Sequence, residues 1–108
     1  MKELLLVVYE SPSGKLPFHE WLTKLKDRKA RAVIRARLER VRLGNFGDCK
    51  QVGEGVSELR VDFGPGYRVY FGRDGDKIVV LLCGGNKKTQ SKDIKRAKDY
   101  WKEYGSGN

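Results

Sequence analysis

The second half of the chain constrains the fold most, because it reads as three strand patterns separated by glycine turns. In residues 58–63 apolar and charged side chains alternate, which puts Leu59, Val61 and Phe63 on a core face and Arg60 on the other. After the turn Gly64-Pro65-Gly66, residues 67–72 resume as a strand in which Arg68 and Tyr70 lie opposite Tyr67, Val69 and Phe71. Asp74-Gly75 is a tight hairpin signal, and the nearly continuous apolar run 77–83 suits a central strand. Parallel neighbours would need long crossovers, so strands this close in sequence predict an antiparallel three-strand meander.

The first half has a different period. Residues 3–10 form a short aliphatic segment closed by Ser11-Pro12-Ser13-Gly14, predicting a strand buried on both faces. Pro17 then stands at a first helical position, with Phe18, Trp21, Leu22 and Leu25 on one helical face. From Arg28 to Leu43, Ala30, Val33, Ile34, Leu38 and Val41 keep helical period until Gly44-Asn45, and the two helices are predicted to form a hairpin. After Gly84-Gly85-Asn86, the residues Ile94, Ala97, Trp101 and Tyr104 mark a last helix beginning near Ser91. The prediction is an α+β fold: an N-terminal strand, a helical hairpin, an antiparallel three-strand meander and a C-terminal helix. Residues 1–104 form one domain and 105–108 a loose tail.

Charge narrows the partners. With 23 Lys+Arg against 14 Asp+Glu, the net charge is +9, which favours polyanions or acidic proteins. Residues 24–42 carry nine Lys/Arg against Asp27 and Glu39, and residues 87–102 carry seven against Asp93 and Asp99. Helix two is either a solvated surface or a docking surface for an acidic partner or a nucleic-acid backbone. The apolar run at residues 4–8 is far shorter than a membrane span, so the expectation is a cytoplasmic protein with no membrane association and with Cys49 and Cys83 reduced. One histidine and two distant cysteines offer no zinc spacing, so neither a metal nor a cofactor is expected.

His19 reads as a solvated histidine, Cys83 as a small core residue, and Glu54, Glu58 and Asp62 as ion-pair partners of nearby cations. The stretch Gly84 to Thr89 lacks the Gly-Lys-Ser/Thr step of a phosphate loop. Arg60 and Arg68 are predicted on one face of adjacent strands, with Lys87 and Lys88 on the loop leaving the third and Tyr70 beside them. Such a cluster can stabilise charge on a phosphorane if a ribose 2′-hydroxyl attacks its own 3′-phosphate; equally, arginines on a solvated sheet face discourage aggregation.

Several segments resemble a known family. Gly55 to Arg60 with its Glu-Leu-Arg step, the run Gly64-Pro65-Gly66-Tyr67-Arg68-Val69-Tyr70-Phe71, the run Leu81 to Gln90 with Gly-Gly-x-Lys-x-x-Gln, and then Asp93-Ile94 and Ala97 resemble the RelE/ParE toxin superfamily. Within it the chain is most similar to the phage-derived, HigB-like addiction-module killer proteins. The resemblance implies a type II toxin that cuts mRNA in the ribosomal A site without a metal. A cognate antitoxin, a helix-turn-helix protein, would silence it, and DNA would be bound only through that complex. It further implies that Arg60, Arg68 and Lys87 are the catalytic cations, with Lys88, Tyr70 and Gln90 contacting RNA. Several relatives place a tyrosine or histidine near the last helix for proton transfer, where this chain has Asp93-Ile94-Lys95. The ribosome or a lysine would then supply that function. Relatives of the ParE type poison DNA gyrase on the same fold, and a noncatalytic nucleic-acid-binding or interaction module stays open beside both.

Overall fold

Local chemistry explains where most elements begin and end. In the computed structural model, which describes residues 3–106, β1 (Leu5–Val8) precedes α1 (Pro17–Lys24) and α2 (Arg28–Arg42). Pro17 opens α1, where a missing N–H costs nothing. The Asp27 carboxylate caps α2 by accepting from the amides of Lys29 (2.9 Å) and Ala30 (3.2 Å). Then follow β2 (Cys49–Gly53), β3 (Val56–Val61), β4 (Tyr67–Asp74) and β5 (Ile78–Asn86), a 3-10 turn (Lys87–Thr89) and α3 (Gln90–Ser106).

The five strands form one mixed sheet in the order β1-β5-β4-β3-β2, with β1 parallel to β5 and every other pair antiparallel. The meander thus has four strands, not the predicted three. Its additional strand, β2, is a sheet edge whose residues are exposed apart from half-buried Val52, so there was no apolar alternation to read. The first strand is also corrected. It is an edge, not buried on both faces, with Leu5 58% and Val8 38% exposed. The run 77–83 does lie centrally, between β1 and β4.

Both faces of the sheet are covered. Phe18 and Leu22 of α1 and Ala30, Ile34, Leu38 and Val41 of α2 pack with Leu59, Val61, Tyr67, Val69 and Phe71. On the opposite face α3 lays Ala97, Ile94 and Trp101 against Val56, Tyr70, Val80 and Leu82. Each fully buried Val, Leu, Ile or Phe among them contributes about 1.5–3 kcal/mol relative to exposure. A register shift between Tyr70 and Phe71 leaves Leu82 as the extra residue of a bulge, so Leu82 and Cys83 both join the α3 core. The face assigned to Arg60, Arg68 and Tyr70 is therefore a second core, not an open sheet surface. Helix α3 reaches Ser106, so two residues assigned to the loose tail are helical; the other two lie outside the described residues.

A candidate anion-binding cleft

The β3–β4 register puts Arg60 directly opposite Arg68. Like charges facing across strands repel, so the pair needs a counter-charge. Glu58, two residues earlier on the same face and fully buried, supplies it. Its Oε1 accepts from Arg60 Nε (3.1 Å) and lies 3.8 Å from Arg68 Nε, an ion pair too long for a hydrogen bond. Its Oε2 accepts from the Tyr70 hydroxyl (3.1 Å) and from Gln90 Nε2 (2.8 Å). Since Gln90 opens α3, this one carboxylate ties the helix start to two strands. Burial pushes the Glu58 carboxyl up, but the hydrogen bonds from Gln90, Arg60 and Tyr70 and the charge of Arg68 outweigh it, leaving the group below its ordinary value.

Above this network lies a cleft of about 260 Å³ lined by Asp48, Arg60, Asp62, Gly66, Arg68 and Lys87. Arg68 is 8% exposed, and its Nη1 donates to the Tyr67 carbonyl at 3.3 Å. Its Nε is buried without a hydrogen-bond partner and faces the Glu58 carboxylate at 3.8 Å. Lys87 is fixed at its backbone, where its amide donates to the Gly66 carbonyl (3.0 Å), while its side chain is exposed. The cleft therefore unites Arg60, Arg68 and Lys87.

The other three residues singled out from sequence stand differently. Lys88 is exposed on the adjoining turn, outside the lining. Tyr70 and Gln90 sit behind the cleft as donors to Glu58. Burial, then the Glu58 charge, pushes the Tyr70 hydroxyl far above its ordinary value, so it stays protonated at neutral pH. Glu58 is ion-paired as its neighbours implied, and Glu54 pairs with Lys98 (3.6 Å) and Lys102 (3.1 Å). Burial pushes the Cys83 thiol up to about 12, whereas Cys49 is exposed on β2. His19 is exposed on α1.

Sequence reasoning missed Arg37, which had passed as one of many basic residues around helix two. It is buried, and its guanidinium donates to the carbonyls of Phe46 (2.8 Å), Asp48 (3.1 Å) and Arg60 (3.0 Å). Two of those residues line the cleft, so Arg37 anchors its back wall to α2. Its spacing from Ile34 and Val41, on the core stripe, was the available signal. Arg37→Met should destabilise the protein by on the order of 3 kcal/mol in urea unfolding, because three carbonyls lose a charged donor. An unchanged midpoint would show that the 46–48 segment holds without it.

Among the described residues no group of three or more His, Cys, Asp or Glu could hold a metal ion, and no helix is long and apolar enough to cross a membrane. The fold and cleft define a small basic α+β domain in which Arg60, Arg68 and Lys87 line one cleft at the end of the sheet. Sequence comparison gives that domain a family: the chain belongs to the phage-derived Gp49-like proteins (DUF891), matched over residues 20–102. This is a RelE/ParE-like toxin family, associated with mRNA-interferase-like toxins, and membership points to a toxin-like role. The chain is also 53% identical over 90 residues to an uncharacterized protein of Haemophilus influenzae, a match covering 83% of this chain and 91% of that one.

Proposed function

We propose that this protein is the toxin of a type II toxin–antitoxin system, a HigB-like member with a RelE-like fold that cuts ribosome-bound mRNA without a metal. The observation that carries the proposal is the convergence of Arg60, Arg68 and Lys87 on one cleft, with Glu58 ion-paired to both arginines. In the reaction the ribose 2′-oxygen forms a bond to its own 3′-phosphorus and the bond to the 5′-oxygen breaks, leaving a 2′,3′-cyclic phosphate and a 5′-hydroxyl. Charge grows on the phosphorane oxygens and on the leaving oxygen, where fixed guanidinium groups stabilise it. The 2′-hydroxyl proton leaves, and one is delivered to the 5′-oxygen. With Tyr70 buried and His19 on α1, Lys87 or the ribosome is the candidate to move them. Positioning on the ribosome supplies the alignment that so small a cleft cannot.

The test is mapping of mRNA ends after programmed ribosomes meet the purified protein. Cuts at the A-site codon support the reading, whereas intact mRNA together with altered plasmid supercoiling would replace it with gyrase inhibition. Protein treated with a chelator and then desalted should cut at an unchanged rate. Activity lost on that treatment and restored by added zinc would overturn the cation-only mechanism.

The inferred partner is an antitoxin of the helix-turn-helix kind, with an acidic segment drawn to the exposed cations of α2 and α3, through which the pair would reach DNA. Complementary charge speeds association, so raising salt from low to physiological levels should slow it by about an order of magnitude in stopped-flow mixing. A rate indifferent to salt would rule out this steering.

A further inference from the structure

Strand β1 leaves the sheet early, its last backbone bond running from Tyr9 N to Leu81 O (2.9 Å). The end of β5, including Gly84 and Gly85, thus has β4 on one side and no strand on the other. Trp21 of α1 lies there. A Cβ at Gly84 would collide with its ring, which also meets Tyr67 edge-on with centroids 6.2 Å apart. The Trp21 side chain stays half exposed.

Two hollows share Trp21 and Arg96. One, of about 260 Å³, reaches Asn86, Thr89 and Lys92; the other, of about 330 Å³, runs between α1 and α3 to Lys15, Lys24 and Tyr100. No ion pair among the described residues engages these four cations, whereas Lys98 and Lys102 farther along α3 are taken by Glu54. Of the lining acids, Asp93 is buried and accepts the Thr89 hydroxyl, and Glu20 accepts from the Leu16 amide at 3.3 Å. The turn that carries Lys87 into the catalytic cleft carries Thr89 into the first hollow, so the two sites adjoin.

We propose that the groove between α1 and α3 binds the single-stranded RNA flanking the scissile phosphate, with a base stacked on Trp21 and phosphates on Lys92 and Arg96. This rests on the reading of the cleft as an RNA site. Cations interleaved with aromatic faces suit a flexible nucleotide strand, because every base has a face to stack and a phosphate to pair. An acidic peptide needs only the cations, and α2 offers those without a single aromatic residue.

Fluorescence anisotropy of labelled decauridylate and triuridylate tests the groove. Wild type should bind the longer RNA more tightly. Lys92→Ala with Arg96→Ala should weaken decauridylate about tenfold and lower its log–log salt slope by about 1.4, two phosphate contacts at about 0.7 each, while leaving triuridylate unchanged. Trp21→Leu should weaken it about fivefold or more, and Trp21→Phe should restore most of the loss. The proposal is overturned if the double variant keeps wild-type affinity and slope, if the longer RNA binds no better than the shorter, or if a polyglutamate peptide binds the groove and decauridylate does not. Its failure is separable from that of the cleavage reading. Groove binding with uncut mRNA on ribosomes removes the nuclease and keeps the groove; cleavage with an indifferent double variant does the reverse.

Discussion

Arg68→Ala should abolish mRNA cleavage on programmed ribosomes and the growth arrest that follows from it. The arginine projects from β4 into the cleft beside Arg60 and Lys87, held by the Glu58 charge and the Tyr67 carbonyl. A planar fork so held can donate to two oxygens of one phosphate as charge develops. Removing one preorganised donor of this kind costs about two to three orders of magnitude in rate, on the order of 3–4 kcal/mol. Folding should suffer much less, because Glu58 keeps Arg60, Tyr70 and Gln90 as donors. Arg68→Lys keeps the charge but not the fork, so it should rescue little. Lys87→Ala should cost less than Arg68→Ala, since an exposed ammonium on a flexible stem is less preorganised. Side-by-side cleavage by wild type and a folded Arg68→Ala protein decides it, and equal rates would remove Arg68 from the site.

The second large effect falls on stability. Glu58→Ala should strand the Tyr70 hydroxyl and the Gln90 amide and leave Arg60 facing Arg68 without a counter-charge. Breaking a buried charged network by removing one partner costs about 3–5 kcal/mol, which in a domain this small lowers the melting temperature by on the order of 10 °C or more. Glu58→Gln keeps the shape but not the charge and should fall between. The direction of the pKa shift adds a pH signature. The folded carboxyl titrates below its unfolded value, so its stabilisation is fully present above the unfolded value, about 4.3, and is lost as pH falls through the lower folded one. Wild type should therefore lose stability on acidification where Glu58→Gln loses less. Melting curves that superimpose for wild type and Glu58→Ala would show that Glu58 does not clamp α3 to the sheet.

The elements whose side chains alternate or repeat were legible one by one. Residues 58–63 and 67–72 announced β3 and β4 because each strand buries one apolar row beneath α1 and α2. The hairpin between them sufficed to put Arg60 beside Arg68, since period two and a short turn determine both face and neighbour. The edge strand β2 was silent because an exposed strand buries nothing and so imposes no pattern. Leu5 and Val8 misled for the converse reason: an aliphatic run marks a strand but not how many of its sides are covered.

What the chain determined by itself was thus three of the meander's four strands, the two basic helical stretches and the common face of Arg60 and Arg68. All of these follow from local period and turn chemistry, which act over a few residues. Only the tertiary structure decided that α3 closes over that face, turning Glu58, Tyr70 and Gln90 into a buried clamp, and that Arg37 reaches from α2 to the cleft's back wall. It also decided that the Gly66 carbonyl holds Lys87 at the rim. Glu58 and Gln90 stand 32 residues apart. Neither residue carries the partner in its own neighbourhood of sequence, because the contact exists only once a helix has docked on a sheet.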